Sequence, residues 1–205
     1  MNKDDLLKQL AEAGYNIGYG AKKHFATYDI VEKAPNLINF LLISIGIFAL
    51  FIDALSTKII SAVLIVFGII GLHINSYNDK QEDYNSTGKY LIQLFEEVKS
   101  LYYKVKASEY NLDGNEQEEL KKIQSSYHRR AISKQILFSD WYAHYKFFWQ
   151  HQIEWIEEQK KFSFWRDKVP LTLILILFAS ILIAVGYYYG EDILNLMYSL
   201  KETKK

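Results

Sequence analysis

The chain has 205 residues, with 24 Lys and Arg against 24 Asp and Glu, and it contains no cysteine. A formal net charge of zero argues against a nucleic-acid-binding protein, because such proteins need a clustered cationic surface. The missing cysteines exclude disulfides, thiolate nucleophiles and Cys-ligated zinc.

Three long uncharged runs separate the apolar residues from the charged ones. Residues 34–52, 59–78 and 169–190 form runs of 19, 20 and 22 residues without Asp, Glu, Lys or Arg. A helix needs roughly 20 mostly apolar residues to cross a hydrocarbon core of about 30 Å. We therefore predict an all-α membrane protein. It has a transmembrane helical hairpin, a long cytoplasmic antiparallel helical hairpin and a third, C-terminal transmembrane helix.

The runs also predict where each part begins and ends. The parts are a cytoplasmic amphipathic N-terminal segment (1–36), the transmembrane hairpin (37–78), the cytoplasmic helical hairpin (79–168), the third transmembrane helix (169–190) and a C-terminal tail (191–205). The turn between the first two spans is only six residues long, 53–58, so these spans must be antiparallel.

The N-terminal segment has apolar residues at helical spacing, which predicts a short amphipathic helix. We expect Gly14, Gly18 and Gly20 to interrupt it. The basic stretch 21–31 has two interpretations: it lies along an anionic membrane surface, or it leads into the first span as an ordinary helix.

The distribution of basic residues predicts the orientation. Near the spans, nine Lys and Arg lie on the side of the N-terminus and middle region, against four on the other side. The positive-inside rule then places the N-terminus and residues 79–168 in the cytoplasm and the C-terminus outside. Aromatic residues typical of membrane interfaces flank the third span: Trp165 before it, and Tyr187, Tyr188 and Tyr189 at its end.

The first middle helix, about 84–106, has apolar residues at alternating steps of three and four, which predicts a coiled-coil seam on a projecting stalk. The seam residues are Tyr84, Thr87, Leu91, Leu94, Val98, Leu101 and Val105. A turn at 111–115 should reverse the chain into a return helix, 116–162, about 70 Å long if unbroken. Leu120, Ile123 and Tyr127 would pack that helix against the first.

All four Trp and seven further Phe or Tyr lie between Phe138 and Trp165. This density has three interpretations: the core of the helical layer, a contact between subunits, or a ligand pocket.

Two pairs of an acid and a histidine have the helical spacing of metal ligands: Asp140 with His144, and His151 with Glu154. The facing helix offers only Glu96 and Glu97 and no histidine, so we expect no metal. The chain has no phosphate-binding loop or hydrolase motif. We therefore predict no catalytic residue and no cofactor, and a protein that is not an enzyme.

Small or polar residues recur every seven positions within the spans, close to two helical turns. They are Asn39, Gly46 and Asp53 in the first span, Ser61, Gly68 and Asn75 in the second, and Thr172, Ala179 and Gly186 in the third. Such stripes serve either close helix packing or the lining of an oligomeric pore, and both uses remain open.

Together these features resemble the SLATT family of small bacterial membrane effectors, which occur beside nucleotide-second-messenger synthases or beside reverse transcriptases of anti-phage systems. The resemblance rests on YNIGYGAKKHFATYDI (15–30), the hairpin 37–74 and DYNSTGKYLIQLFEEVKSLYYKVK (83–106). The third span departs from the family's two-span pattern and indicates a subfamily with a C-terminal extension.

The resemblance implies an effector of anti-phage defence in the bacterial inner membrane. Such an effector oligomerises or opens as a pore, depolarises the membrane and arrests the infected cell by abortive infection. The alternative is a non-conducting anchor or scaffold for a partner enzyme such as a reverse transcriptase or nucleotidyltransferase. The expected partners are membrane lipid, further copies of the chain and a signal from a neighbouring reverse transcriptase or cyclic-nucleotide synthase, without direct nucleic-acid binding.

Overall fold

A computed structural model describes residues 2–108, 114–151 and 153–202, and within these residues the protein is helical without strands. The helices are α1 (Lys3–Phe48), α2 (Lys58–Asn75), α3 (Gln81–Ala107), α4 (Asn115–Arg130), α5 (Ser139–Phe148), α6 (Glu154–Glu157) and α7 (Leu171–Glu202). The chain divides into two compact units, the first ending at Lys161 and the second beginning at Phe162.

Helix α1 is a single 46-residue helix that joins the N-terminal segment to the first apolar span. The side chain of Asn2 caps it by accepting a hydrogen bond from the Asp4 amide. The negative charges of Asp4 and Asp5 interact favourably with the positive end of the helix dipole. The expected interruption at the three glycines is therefore wrong. The chain runs as a helix through them and leads directly into the apolar span.

Helices α1, α2 and α3 form one continuous antiparallel hairpin. The Lys3 ammonium donates to the Lys106 carbonyl at 2.9 Å, and a Cβ on Gly71 would lie 3.5 Å from Ile38. Helices α2 and α3 therefore run antiparallel to α1. The turn between α1 and α2 contains a short 3-10 helix, Asp53–Leu55, and Thr57 caps α2 by accepting from the Ile60 amide.

The partner of the predicted seam is the main correction to the middle region. All seven seam residues are buried, but α3 packs more extensively on α1 than on α4. The N-terminal helix, which the sequence analysis placed apart from the stalk, is therefore the principal partner of α3. Leu120 and Ile123 of α4 are also buried, and α4 does pack on α3.

The return segment is not one unbroken helix. Helix α4 ends at Arg130, and residues 131–138 form a loop before α5. Helix α5 then runs back along α1, with Asp140 bonded to Lys23 and His144 near Tyr19. Because the chain reverses here, α1, α3, α4 and α5 with α6 form a compact helical bundle instead of a 70 Å rod.

Glycines on α1 and α3 receive aromatic rings at the centre of this bundle. A Cβ on Gly14 would lie 2.8 Å from Cζ2 of Trp155, and one on Gly18 would lie 2.8 Å from Phe95. On α3, a Cβ on Gly88 would lie 2.9 Å from Phe25. The small residues therefore let helices and rings approach closely, as in dense protein cores.

The C-terminal unit contains a five-residue π-helical turn, Phe164–Lys168, followed by α7. Helix α7 is longer than the predicted third span, since it continues past Gly190 to Glu202. The predicted turn at 111–115 lies mostly outside the described residues, although Gly114 has a left-handed backbone with φ of 91°.

In the part of the chain that the structure describes, three helical segments, within α1, α2 and α7, are long and apolar enough to cross a membrane. Their large apolar side chains are mostly exposed: Phe40 is 67% exposed, Ile59 76% and Leu171 66%. Only lipid or other protein surfaces can cover so much apolar area favourably. The fold is therefore that of an all-α membrane protein.

Candidate functional site

The transmembrane hairpin contains an open polar notch at the end nearest the bundle. Its volume is about 220 Å³. It is lined by Pro35, Asn36 and Asn39 of α1 and by Gly68, Gly71, Leu72 and Asn75 of α2. On each helix these residues are three or four positions apart, or adjacent, so they share one face. We call this feature the asparagine notch.

Three asparagine amides give the notch its polarity. Asn36, Asn39 and Asn75 are all exposed, and the Asn36 amide donates to the Glu32 carbonyl at 3.3 Å. Gly68 lies seven residues from Asn75, so the notch extends about 10 Å into the apolar span. Uncharged amides can both donate and accept hydrogen bonds, and they can therefore hold water or replace part of an ion's hydration.

Pro35 marks the point where α1 leaves the bundle. It lies inside α1, yet it has no amide proton to donate to the carbonyl four residues earlier, that of Val31. A proline inside a helix is one of the recognised causes of a kink. Bending of α1 at this position would change the width of the asparagine notch.

The structure brings together some of the predicted stripe residues and separates others. Asn39, Gly68 and Asn75 meet in the asparagine notch. A Cβ on Gly46 would have no other atom within 4 Å, so this glycine does not serve close packing within the chain. The Ser61 hydroxyl donates to the Thr57 carbonyl at 3.1 Å. Asp53 begins the 3-10 helix of the turn, so it is not on the helical stripe of α1.

Residues of the third span remain exposed within the C-terminal unit. Thr172 and Ala179 are exposed, and a Cβ on Gly186 would have no other atom within 4 Å. Tyr187 and Tyr188 are 85% and 78% exposed, with ring centroids 5.6 Å apart. The side chains of Trp165 and Tyr189 lie outside the described part of the chain.

A partly buried polar network that was not predicted from the sequence lies where the bundle meets the transmembrane hairpin. The His24 Nδ1 atom donates to the Gly20 carbonyl at 2.7 Å, and its Nε2 accepts from the Ile132 amide at 3.0 Å. Gln135 donates to the Ile132 carbonyl at 2.7 Å and accepts from Thr27. The network joins α1 to the loop 131–138. Its sequence signal was weak, because His24 and Thr27 lie in a stretch of α1 that also carries the charged residues Lys22, Lys23 and Asp29.

The neutral form of His24 is required by this geometry. A carbonyl can only accept, so Nδ1 carries the proton and Nε2 must be unprotonated to accept from Ile132. Burial lowers the pKa of His24, as the hydrogen bond to Gly20 only partly compensates for the loss of solvent. Protonation of Nε2 would place two N–H donors, that of His24 and that of Ile132, opposite each other. The attachment of the loop to α1 would then be weakened.

The two histidines tested as metal ligands have different surroundings: His144 is hydrogen-bonded, whereas His151 packs against an aromatic ring and its buried Nε2 accepts no hydrogen bond from the described residues. His144 Nδ1 lies 2.8 Å from the Tyr19 hydroxyl, and Asp140 pairs with Lys23 at 2.7 Å. His151 contacts the Phe95 ring, with centroids 4.8 Å apart. Burial, together with Lys22 and Lys99, lowers the pKa of His151 to about 4. Within the described residues no group of three or more candidate ligands converges on a metal position.

The dense aromatic segment divides between the core and the surface. Trp155 and Phe147 are fully buried, whereas Trp149 and Phe138 are 62% and 53% exposed. The core interpretation therefore holds for one part of the segment only. The exposed aromatic residues leave a contact with lipid or protein open.

A family model matches residues 1–177, covering the whole bundle, both spans of the hairpin and the start of α7. Its description is SMODS and SLOG-associating 2TM effector domain 6. The chain belongs to the SLATT family. Membership implies a role as a membrane effector in anti-phage defence. No curated protein and no solved structure matches this SLATT chain.

Proposed function

We propose that this SLATT protein oligomerises in the bacterial inner membrane and opens as a pore that depolarises an infected cell and arrests its growth. The asparagine notch is the observation that carries the proposal. It brings the exposed amides of Asn39 and Asn75 into one notch of a hairpin whose surface is otherwise mostly apolar.

Polar amides in a transmembrane segment are costly unless they meet water or another polar group. One notch of about 220 Å³ is open on its side and cannot enclose an aqueous path. If several copies assembled with their notches facing a common axis, the amides of each notch would face the polar groups of the other copies and the water between them. The exposed Gly46 and Ser61 would continue the small or polar surface along the spans.

The bundle is the proposed receiver of the activating signal. Helix α1 extends from the bundle into the membrane without a break, so a displacement of the bundle is carried to the notch. Pro35 provides the position at which the two parts of α1 can change their angle. The signal is proposed to come from a neighbouring reverse transcriptase or cyclic-nucleotide synthase, with the N-terminus and bundle in the cytoplasm and the C-terminus outside.

The test compares two double variants of the notch. N39L/N75L removes both amides, whereas N39S/N75S keeps small polar groups at the same positions. Both proteins are expressed from an inducible promoter in bacteria, and purified protein is reconstituted in vesicles. Membrane potential is followed with a voltage-sensitive dye, membrane levels by immunoblot and oligomer size by crosslinking.

We expect depolarisation and growth arrest by the wild type and by N39S/N75S, and their loss in N39L/N75L at normal membrane level. An apolar constriction tends to exclude water, whereas insertion of the spans is favoured by Leu. If N39L/N75L depolarises cells as fast as the wild type, the notch is not part of a conducting path. If the wild type depolarises no cells even when it is expressed together with the neighbouring enzyme that supplies the signal, the protein is a non-conducting anchor.

A further inference from the structure

The loop between α4 and α5, residues 131–138, lies where the bundle meets the transmembrane hairpin. Ile136 is 4% exposed and belongs to a buried cluster with Val31, Ile38, Ile74 and Tyr77. Ile38 and Ile74 lie within the uncharged runs of the first two spans. One side of the loop is therefore in contact with the ends of the membrane-crossing helices.

Hydrogen bonds hold the loop in a defined position. The Tyr84 hydroxyl donates to the Lys134 carbonyl at 2.7 Å, and the Ile132 amide donates to His24 at 3.0 Å. The Lys134 ammonium lies 4.9 Å from the centroid of the Tyr77 ring. These contacts attach the loop to α1, to α3 and to the segment between α2 and α3.

The end of the loop presents large apolar side chains outward. Leu137 is 68% exposed and Phe138 is 53% exposed, and the Phe138 ring lies 4.9 Å from that of Trp141. Phe138 also has a left-handed backbone with φ of 67°, which is unfavourable for a residue with a Cβ. Such strain is typical of positions where the placement of a side chain matters to function.

The charge around the loop suits a phospholipid surface. Arg129, Arg130 and Lys134 are exposed, and residues 129–139 contain no Asp or Glu. Basic residues beside exposed apolar ones are typical of segments that lie at the boundary between headgroups and acyl chains. The neighbouring spans fix the position of that boundary close to Ile38 and Ile74.

From this juxtaposition we propose that the loop 131–138 inserts Leu137 and Phe138 into the headgroup region of the membrane that α1 and α2 cross. Arg129 and Arg130 would bind phosphates of anionic lipids at the same level. The loop thereby attaches the bundle to the membrane in addition to the membrane-crossing helices, independently of any conducting state.

The absence of cysteine makes a clean test possible. Single-cysteine variants L137C and Y103C are labelled with a nitroxide, and the full-length protein is reconstituted in vesicles of zwitterionic lipid with or without anionic lipid. Tyr103 is 47% exposed and lies about 33 Å along α3 from its first residue, Gln81, so Y103C is the aqueous control. Relaxation by oxygen, which concentrates in the bilayer, is compared with relaxation by a water-soluble nickel chelate.

We expect the label at 137 to be relaxed more by oxygen than by the nickel chelate, and the label at 103 to show the reverse. Anionic lipid should further reduce the relaxation of the label at 137 by the nickel chelate. This further reduction should disappear when L137C is combined with R129Q and R130Q. Equal nickel relaxation at 137 and 103 would overturn the proposal. Protection of the label at 137 from both oxygen and the nickel chelate would also overturn it, because the loop would then be covered by protein and not by lipid.

Discussion

Gly14→Ala tests whether α1 is the central helix of the bundle. The new Cβ would lie 2.8 Å from Cζ2 of Trp155 and closer still to Cη2, a separation that real Cβ atoms do not tolerate. Trp155 is 2% exposed and its indole is rigid, so the strain should reach the upper part of the usual overpacking range, about 3 kcal/mol. Alanine gains about 1 kcal/mol of helix propensity over glycine. The free energy of unfolding should therefore fall by about 2 kcal/mol, a large part of a typical domain's stability.

Gly46→Ala is the matched control on the same helix, because its Cβ would have no other atom within 4 Å. This variant should keep or slightly raise the stability of the bundle. Stability is measured by denaturant unfolding of the detergent-solubilised protein, followed by tryptophan fluorescence. The double variant G14A/W155F should lose less stability than the sum of its single changes, since a phenyl ring does not reach the position of Cη2. If G14A is as stable as G46A, α1 does not pack in the bundle as described.

Three further predictions concern the seam, pH and orientation. L94D/V98D should unfold the bundle, because two charges would be buried against α1 at a cost of several kcal/mol each. The exposed control Q93D/S100D should retain the wild-type circular dichroism, and a folded L94D/V98D would contradict the packing of α3 on α1. Lowering the pH should reduce Tm, because burial lowers the pKa of His24, of His144 and of His151 in the folded protein. The stability contributed by the neutral histidines is fully present above pH 6.5. It is lost as the pH falls toward the pKa in the folded protein, about 4 for His151. H151N should show a smaller decrease in Tm between pH 7 and pH 5 than the wild type. An unchanged decrease would show that His151 does not contribute to the pH dependence of Tm. A reporter inserted at Gly114 should be cytoplasmic and one fused after Lys205 periplasmic, and the reverse pattern would exclude the bundle as receiver of a cytoplasmic signal.

The sequence by itself determined the elements that depend on local composition. Long uncharged runs define membrane-spanning helices because the bilayer leaves no other partner for backbone amides and carbonyls. The seven seam residues of α3 were also identifiable, since their spacing places them on one face of a helix. The family followed from the same features.

Tertiary structure alone decided which surfaces meet. A seam such as that of α3 specifies an apolar face but not its partner, and α1 competes better for it because Gly18 and Gly88 permit close approach of the two helices. The break after Arg130 was equally hidden, since residues 131–138 contain neither Pro nor Gly. It arises because His24 and Tyr84 bond backbone groups of the loop, which thereby replace the hydrogen bonds of a continuing helix. The meeting of Asn39 with Asn75 depends on the register of α1 against α2, which no local pattern encodes.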